Sequence, residues 1–140
     1  AILTENADAG MAPKAPGMKY KHYAPSGELA VVDGNAASVI KEINKRAALT
    51  PAEGQRVGII ATTESTDYYQ YGIIKEIGSR NDEDSIARGL YGILRDFDQL
   101  GAEYIYSESF TGDELGQAIM NRLLKAAGHH IIYADAEQKN

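Results

Sequence analysis

Cysteine is absent from this 140-residue chain, which excludes disulfides and thiolate-bound metal and suits a reducing cytoplasm. Long apolar runs are absent as well. None exceeds a few residues, far short of the roughly 20 that a membrane-spanning helix needs. The opening Ala1-Ile2-Leu3-Thr4-Glu5-Asn6 has neither the cationic start nor the apolar stretch of a secretory leader, so a cytoplasmic location is expected. An initiator Met is also missing, and the chain is expected to be a piece of a longer protein. Internal repeats and low-complexity tracts are not found. No GxGxxG follows a strand pattern, and no GxxxxGKS/T loop, GxSxG elbow or HExxH helix occurs, so the common cofactor and hydrolase fingerprints are excluded.

What is present describes a single soluble domain. Hydrophobic residues make up 44% and charged residues 24%, the usual balance of a globular protein. The net charge of −6 is unevenly spread. Residues 9–27 carry Lys14, Lys19 and Lys21 and no acid, whereas the remainder holds 11 Lys and Arg against 20 Asp and Glu. An acidic body argues against nucleic-acid binding, which needs a basic face.

Residues 1–28 lack helical or strand periodicity, and Pro13, Pro16 and Pro25 each fix φ and delete a backbone donor, so an extended arm is expected. From Leu29 the pattern changes. Leu29-Ala30-Val31-Val32 reads as a buried strand ending at Asp33-Gly34-Asn35. Val39, Ile40, Ile43 and Ala47 follow at helical spacing, with Lys41, Glu42, Lys45 and Arg46 mostly outward. Thr50-Pro51-Ala52-Glu53-Gly54 closes that helix. Val57-Gly58-Ile59-Ile60-Ala61 and Ile73-Ile74-Lys75-Glu76-Ile77 read as further strands.

The strongest helix places Ile86, Leu90, Ile93, Leu94, Phe97 and Leu100 on one stripe. Asp82, Glu83 and Asp84 stand at its start and Gly101 at its end. Glu103-Tyr104-Ile105-Tyr106-Ser107 is a fourth strand. Thr111 and Glu114 form a capping box before a last helix with Leu115, Ile119, Leu123 and Ala126 inward, which Gly128 ends. His130-Ile131-Ile132-Tyr133 adds a short strand. This alternation predicts an α/β fold: a Rossmann-like, doubly wound, mostly parallel sheet of four to five strands flanked by helices. The expected organisation is an extended linker over 1–28, the α/β domain over 29–134 and a polar tail over 135–140.

In such a sheet ligands bind beyond the carboxyl ends of the strands, which singles out Asp33-Gly34-Asn35, Thr62-Thr63-Glu64-Ser65 and Ser107-Glu108-Ser109. Asp33-Gly34-Asn35 reads first as a strand-to-helix turn, with helix amides for an anion as the second reading. Tyr68, Tyr69 and Tyr71 read as loop residues packing on their neighbours, with stacking on a base or ring as the alternative. His129-His130 reads as a helix-exit turn rather than a metal pair, and the carboxylate pairs Asp82/Asp84 and Asp96/Asp98 as solvated helix residues. No catalytic residue and no metal ligand is predicted.

The strip from Pro16 to Pro25, Pro-Gly-Met-Lys-Tyr-Lys-His-Tyr-Ala-Pro, is different. A linker would explain its Pro, Gly and Lys content. Its two tyrosines suit stacking on a nucleobase, and its lysines and histidine suit phosphate. With the preceding Pro13-Lys14-Ala15, this strip resembles the interdomain linker of long-form L-threonylcarbamoyladenylate synthases. Ala87-Arg88-Gly89-Leu90-Tyr91-Gly92-Ile93-Leu94-Arg95 with Asp98, and the run from Gly116 to Ala127, are similar to that family's central and last helices.

The resemblance implies a Rossmann-like C-terminal domain whose YrdC-type catalytic domain lies outside this chain. The family makes threonylcarbamoyl-AMP from threonine, bicarbonate and ATP for threonylcarbamoyladenosine modification of tRNA. It implies that the linker closes over the nucleotide, with Tyr23 the leading contact and Tyr20, His22 and Lys19 next. Arg88 and Asn121 match helix positions and are expected to be structural. No cofactor is expected in this piece; ATP and Mg belong to the parent enzyme, and the piece alone is expected to be inactive. The implied partners are the missing catalytic domain and, through the linker, ATP or threonylcarbamoyl-AMP, with neither nucleic acid nor membrane. The alternative is a non-catalytic α/β module that senses a small ligand or docks a protein through residues 62–71.

Overall fold

Three strands bury side chains on both of their faces, which is why their cores read as continuous buried runs rather than alternating ones. The computed structural model describes residues 24–49, 56–111 and 114–135. In chain order these form β1 (Glu28–Asp33), α1 (Ala36–Leu49), β2 (Val57–Ala61), a one-turn 3-10 helix (Thr66–Tyr68), β3 (Ile73–Glu76), α2 (Glu83–Leu100), β4 (Tyr104–Glu108), α3 (Glu114–Ala126) and β5 (Ile131–Tyr133). The sheet is fully parallel with order β3-β2-β4-β1-β5.

Helix α1 covers one face. Val39, Ile43 and Ala47 pack there on Ala30 and Val32 of β1, Ile59 of β2 and Tyr106 of β4. Helices α2 and α3 cover the other face, where Ile86, Leu90, Leu94 and Phe97 meet Ile60, Leu29, Val31 and Ile105. The expected stripe of α2 is largely buried, although Leu100 at its end is 37% exposed. Gly58 in β2 lets α2 come close: a Cβ there would lie 2.5 Å from the Phe97 ring.

The predicted stops hold. Asp82 caps α2 through Ser85 N–H, and Gly101 takes the left-handed conformation at φ 73°. Gly128 ends α3 at φ 60°. One outward reading fails: Glu42 is buried because Arg46, one turn later, folds over it at 2.7 Å. Residues 50–55, the Glu114 side chain and residues 136–140 lie outside the described residues, and with them the Glu114 half of the capping box and all of the expected tail except Asp135.

The winding reverses between β1 and β4. From β1 the chain crosses by α1 to β2 on one side, and from β4 it crosses by α3 to β5 on the other. That switch opens a crevice at the carboxyl ends of the strands. At the opposite edge, the chain enters β1 through a clamp. Arg95 Nη2 donates to the Ala24 carbonyl at 2.9 Å, Ser26 N–H donates to Asp98 Oδ1 at 2.7 Å, and Pro25 is buried.

Candidate functional site

Three turns singled out in the sequence meet at the switch point. A cleft of about 690 Å³ lies there, lined by Gly34 from the turn after β1, by Ala36, Ala37, Val39 and Ile40 from α1, by Thr62, Glu64, Ser65 and Tyr68 from the loop after β2, and by Arg80, Glu108, Ser109 and Thr111. That size is ordinary for a small-molecule site.

At its base Glu108 is 2% exposed, placed there because β4 runs two residues beyond its apolar segment Tyr104-Ile105-Tyr106. Its Oε1 accepts from Arg80 Nη2 at 2.8 Å and Thr62 Oγ1 at 3.3 Å. Its Oε2 accepts from Tyr69 OH at 2.5 Å and from Ser65 Oγ. Four donors fill the roughly four acceptor positions of a carboxylate. Glu108 is therefore a positioning group, with no lone pair left to take a proton from a ligand.

Tyr69 is buried behind it. Burial first, then the negative charge of Glu108, pushes the Tyr69 phenol far above its ordinary range, so it remains a donor at neutral pH. Arg80 is held from three sides. Its Nη2 also donates to the Ser109 carbonyl at 3.2 Å, and its guanidinium lies over the Phe110 ring at 4.8 Å. Two of the five N–H donors of a guanidinium are thus spent, and the side chain is 42% exposed.

Glu64 stands on the rim. Its carboxylate accepts from Ser79 Oγ at 2.6 Å and from the Arg80 backbone N–H at 3.0 Å. The Ser79 hydroxyl, then the Arg80 amide, hold its pKa below the usual carboxylate value, so it is anionic at neutral pH. The first turn of α1 is already capped. Asn35 N–H donates to Asp135 Oδ2 at 2.9 Å, and Asn35 Oδ1 accepts from Ser38 N–H. Asp33 accepts from Ser109 Oγ at 2.7 Å. The turn reading of Asp33-Gly34-Asn35 thus holds, with the Asp33 and Asp135 carboxylates answering its Gly34 and Asn35 amides.

Of the three tyrosines, Tyr69 packs inward, while Tyr68 and Tyr71 are 63% and 44% exposed; Tyr68 faces the cleft. His129 and His130 form a helix exit, with His129 N–H on the Leu124 carbonyl. Arg88 pairs with Asp84 on the surface of α2 at 3.3 Å, and Asn121 is exposed on α3. The linker residues Tyr23, Tyr20, His22 and Lys19 lie outside the described residues.

Ser107-Glu108-Ser109 is picked out in the sequence by its position alone, whereas nothing in the sequence marks Arg80, Tyr69 and Ser65 as the partners of Glu108. An acid ending an apolar strand between two serines was the available signal. Among the described residues no helix is long and apolar enough to cross a membrane.

The family model described as threonylcarbamoyl-AMP synthase, C-terminal domain, matches residues 1–128. The threonylcarbamoyl-AMP synthase of Bacillus subtilis is 39% identical over 125 residues, covering 89% of this chain and 35% of the relative. That of Pyrococcus abyssi is 41% identical over 119 residues, covering 85% and 33%. The chain thus spans about a third of the length of these curated relatives. The crystal structure of P. abyssi Sua5 complexed with L-threonine superposes with a TM-score of 0.71 at 40% identity, over 86% of this chain and 34% of that one. The isolated C-terminal Sua5 domain of Pyrococcus horikoshii gives 0.63 at 29% identity, over 79% of this chain and all of the other.

Proposed function

The chain belongs to the family of threonylcarbamoyl-AMP synthase C-terminal domains, and from that premise we propose that it is the accessory domain of such a synthase, carrying the linker that closes over the nucleotide site of a separate catalytic domain. The parent enzyme joins threonine, bicarbonate and ATP into threonylcarbamoyl-AMP for tRNA modification in the cytoplasm. Tyr23 contacts the nucleotide, supported by Tyr20, His22 and Lys19. The catalytic residues, ATP and Mg belong to the partner domain, and this chain alone makes no threonylcarbamoyl-AMP.

The observation that supports this reading is the clamp on Ala24, Pro25 and Ser26. Tyr23 is the next residue, so one end of the strip starts from a fixed point at the amino edge of the sheet. An anchored strip searches a smaller volume and loses less entropy on closing. Adding this chain in trans to its catalytic domain is expected to raise the rate of pyrophosphate release. Tyr23→Ala is expected to weaken that effect. An unchanged rate with the wild-type chain would remove the lid role.

The cleft at the carboxyl edge favours a second role for the same domain, as a small-ligand sensor. One wall, Ala36, Ala37, Val39 and Ile40, is apolar, and the charged groups opposite it are held by hydrogen bonds within the protein.

A further inference from the structure

Arg80 and Glu64 form an unusual pair. They carry opposite charges, both line the cleft, and their side chains do not bridge one another; the guanidinium pairs with Glu108 instead. Each is fixed separately. The Arg80 backbone N–H and Ser79 hold the Glu64 carboxylate, while Glu108, the Ser109 carbonyl and Phe110 hold the Arg80 guanidinium. Three of the five guanidinium N–H donors remain, and the Glu64 carboxylate keeps acceptor positions beyond its two partners. A preorganised donor and a preorganised acceptor of opposite charge, side by side in one cleft, match a ligand carrying both charges.

The surrounding charge narrows the class. Among the described residues, Asp33, Glu64, Glu108 and Asp135 stand in or beside the cleft against a single cation, Arg80. Two amides of the α1 N-terminus, Asn35 and Ser38, are already accepted by Asp135 and Asn35, and the Asp135 carboxylate beside them opposes a phosphate there. A mononucleotide or pyrophosphate would bring further negative charge into an acidic setting. A simple amine would leave the remaining Arg80 donors unused. The wall formed by Ala36, Ala37, Ile40 and Tyr68 offers apolar surface to an uncharged side chain. The cleft exceeds one amino acid in volume, so recognition rests on the two charges rather than on side-chain length.

We propose that this cleft binds a free α-amino acid, its carboxylate on Arg80 and its ammonium on Glu64, as an effector site of the domain. The proposal rests on the small-ligand reading above.

The test is amide NMR on the 140-residue chain with L-threonine, L-alanine and L-valine as probes, beside N-acetyl-L-alanine, L-alanine methyl ester, AMP and pyrophosphate. Free amino acids should shift the amides of Ala37, Glu64, Tyr68 and Arg80 saturably. Each singly capped analogue should bind about tenfold or more weakly, the loss of one charge-assisted contact. Glu64→Gln should weaken amino-acid binding to a similar extent, and Ala37→Phe, which fills the wall, should abolish it. Because Arg80→Gln strips a buried carboxylate of its cation, Glu64→Gln and Ala37→Phe carry the test. Capped analogues binding as well as the parents would overturn the amino-acid class, as would saturable binding of AMP or pyrophosphate alone. Those outcomes would leave the small-ligand reading standing. Silence to every probe would remove both.

Discussion

The two edges of the sheet are built from different bonds. At the amino edge the backbone closes on itself. Glu28 N–H donates to the Glu103 carbonyl, Glu103 and Tyr104 both donate to the Arg56 carbonyl, and Ala102 donates to the Phe97 carbonyl. Gly27 fits because its hydrogen faces the Ala102 carbonyl, which a Cβ would approach to 2.3 Å. At the carboxyl edge backbone bonds such as Ile77 N–H to the Ala61 carbonyl are joined by side-chain ties: Thr62, Ser65, Tyr69 and Arg80 converge on one buried acid. Backbone closure stabilises whatever residues are present. Buried polar side chains carry a desolvation penalty that only a complete set of partners offsets. One edge is a fastening for the linker; the other holds chemical groups facing a cleft.

The contrast predicts unequal costs. Glu108→Ala leaves four donors without their acceptor and should destabilise the domain by about 3 kcal/mol, read from urea denaturation. A loss no larger than that of an exposed contact would erase the distinction between the edges. Gly27→Ala at the amino edge should cost about 2 kcal/mol, because the obstacle is backbone, and should leave the cleft amides unshifted. Perturbation of Glu64 or Arg80 by that change would mean that the edges are coupled.

Tyr69→Phe removes one donor of four and should cost about 1 kcal/mol. It also carries a pH signature. Burial and Glu108 raise the Tyr69 pKa, so the fold retains a proton that the unfolded chain releases. The resulting stability is complete below the unfolded value of about 10 and is lost as pH climbs through and beyond it. Stability measured at alkaline pH should fall less steeply in the phenylalanine variant; identical slopes would place the Tyr69 phenol outside the network.

The smallest effect belongs to Asp98→Ala, about 0.5 kcal/mol for an exposed contact. Hydrogen exchange should quicken at Ser26, whose N–H it accepts, while Glu28, bonded to the Glu103 carbonyl, stays protected. Unchanged exchange at Ser26 would mean that the clamp on the linker does not depend on Asp98.

Much of the fold was legible because its signals are local. The apolar run at Leu29–Val32 and the stripe from Ile86 to Phe97 report burial within a few residues of themselves. Caps such as Asp82 and Gly101 act within one turn. Glu42 misled because its burial comes from Arg46 folding back, which periodicity does not register. The candidate site was legible only in outline. Topology alone pointed to the three turns beyond β1, β2 and β4. The contacts of Glu108 with Arg80, Tyr69 and Thr62 span 28, 39 and 46 residues, and no pattern in the intervening chain encodes them.

By itself, the sequence determined the element order, the parallel α/β class and, through the strip from Pro16 to Pro25, the family resemblance. These depend on side-chain period, turn chemistry and a run of adjacent residues, all read along the chain. Only the tertiary structure decided that β4 lies between β1 and β2, and hence that a reversal of winding brings Glu64, Arg80 and Glu108 to one cleft. Strand order is set by which packing of helices on the strands buries both sheet faces at once, a property of the whole domain rather than of any segment.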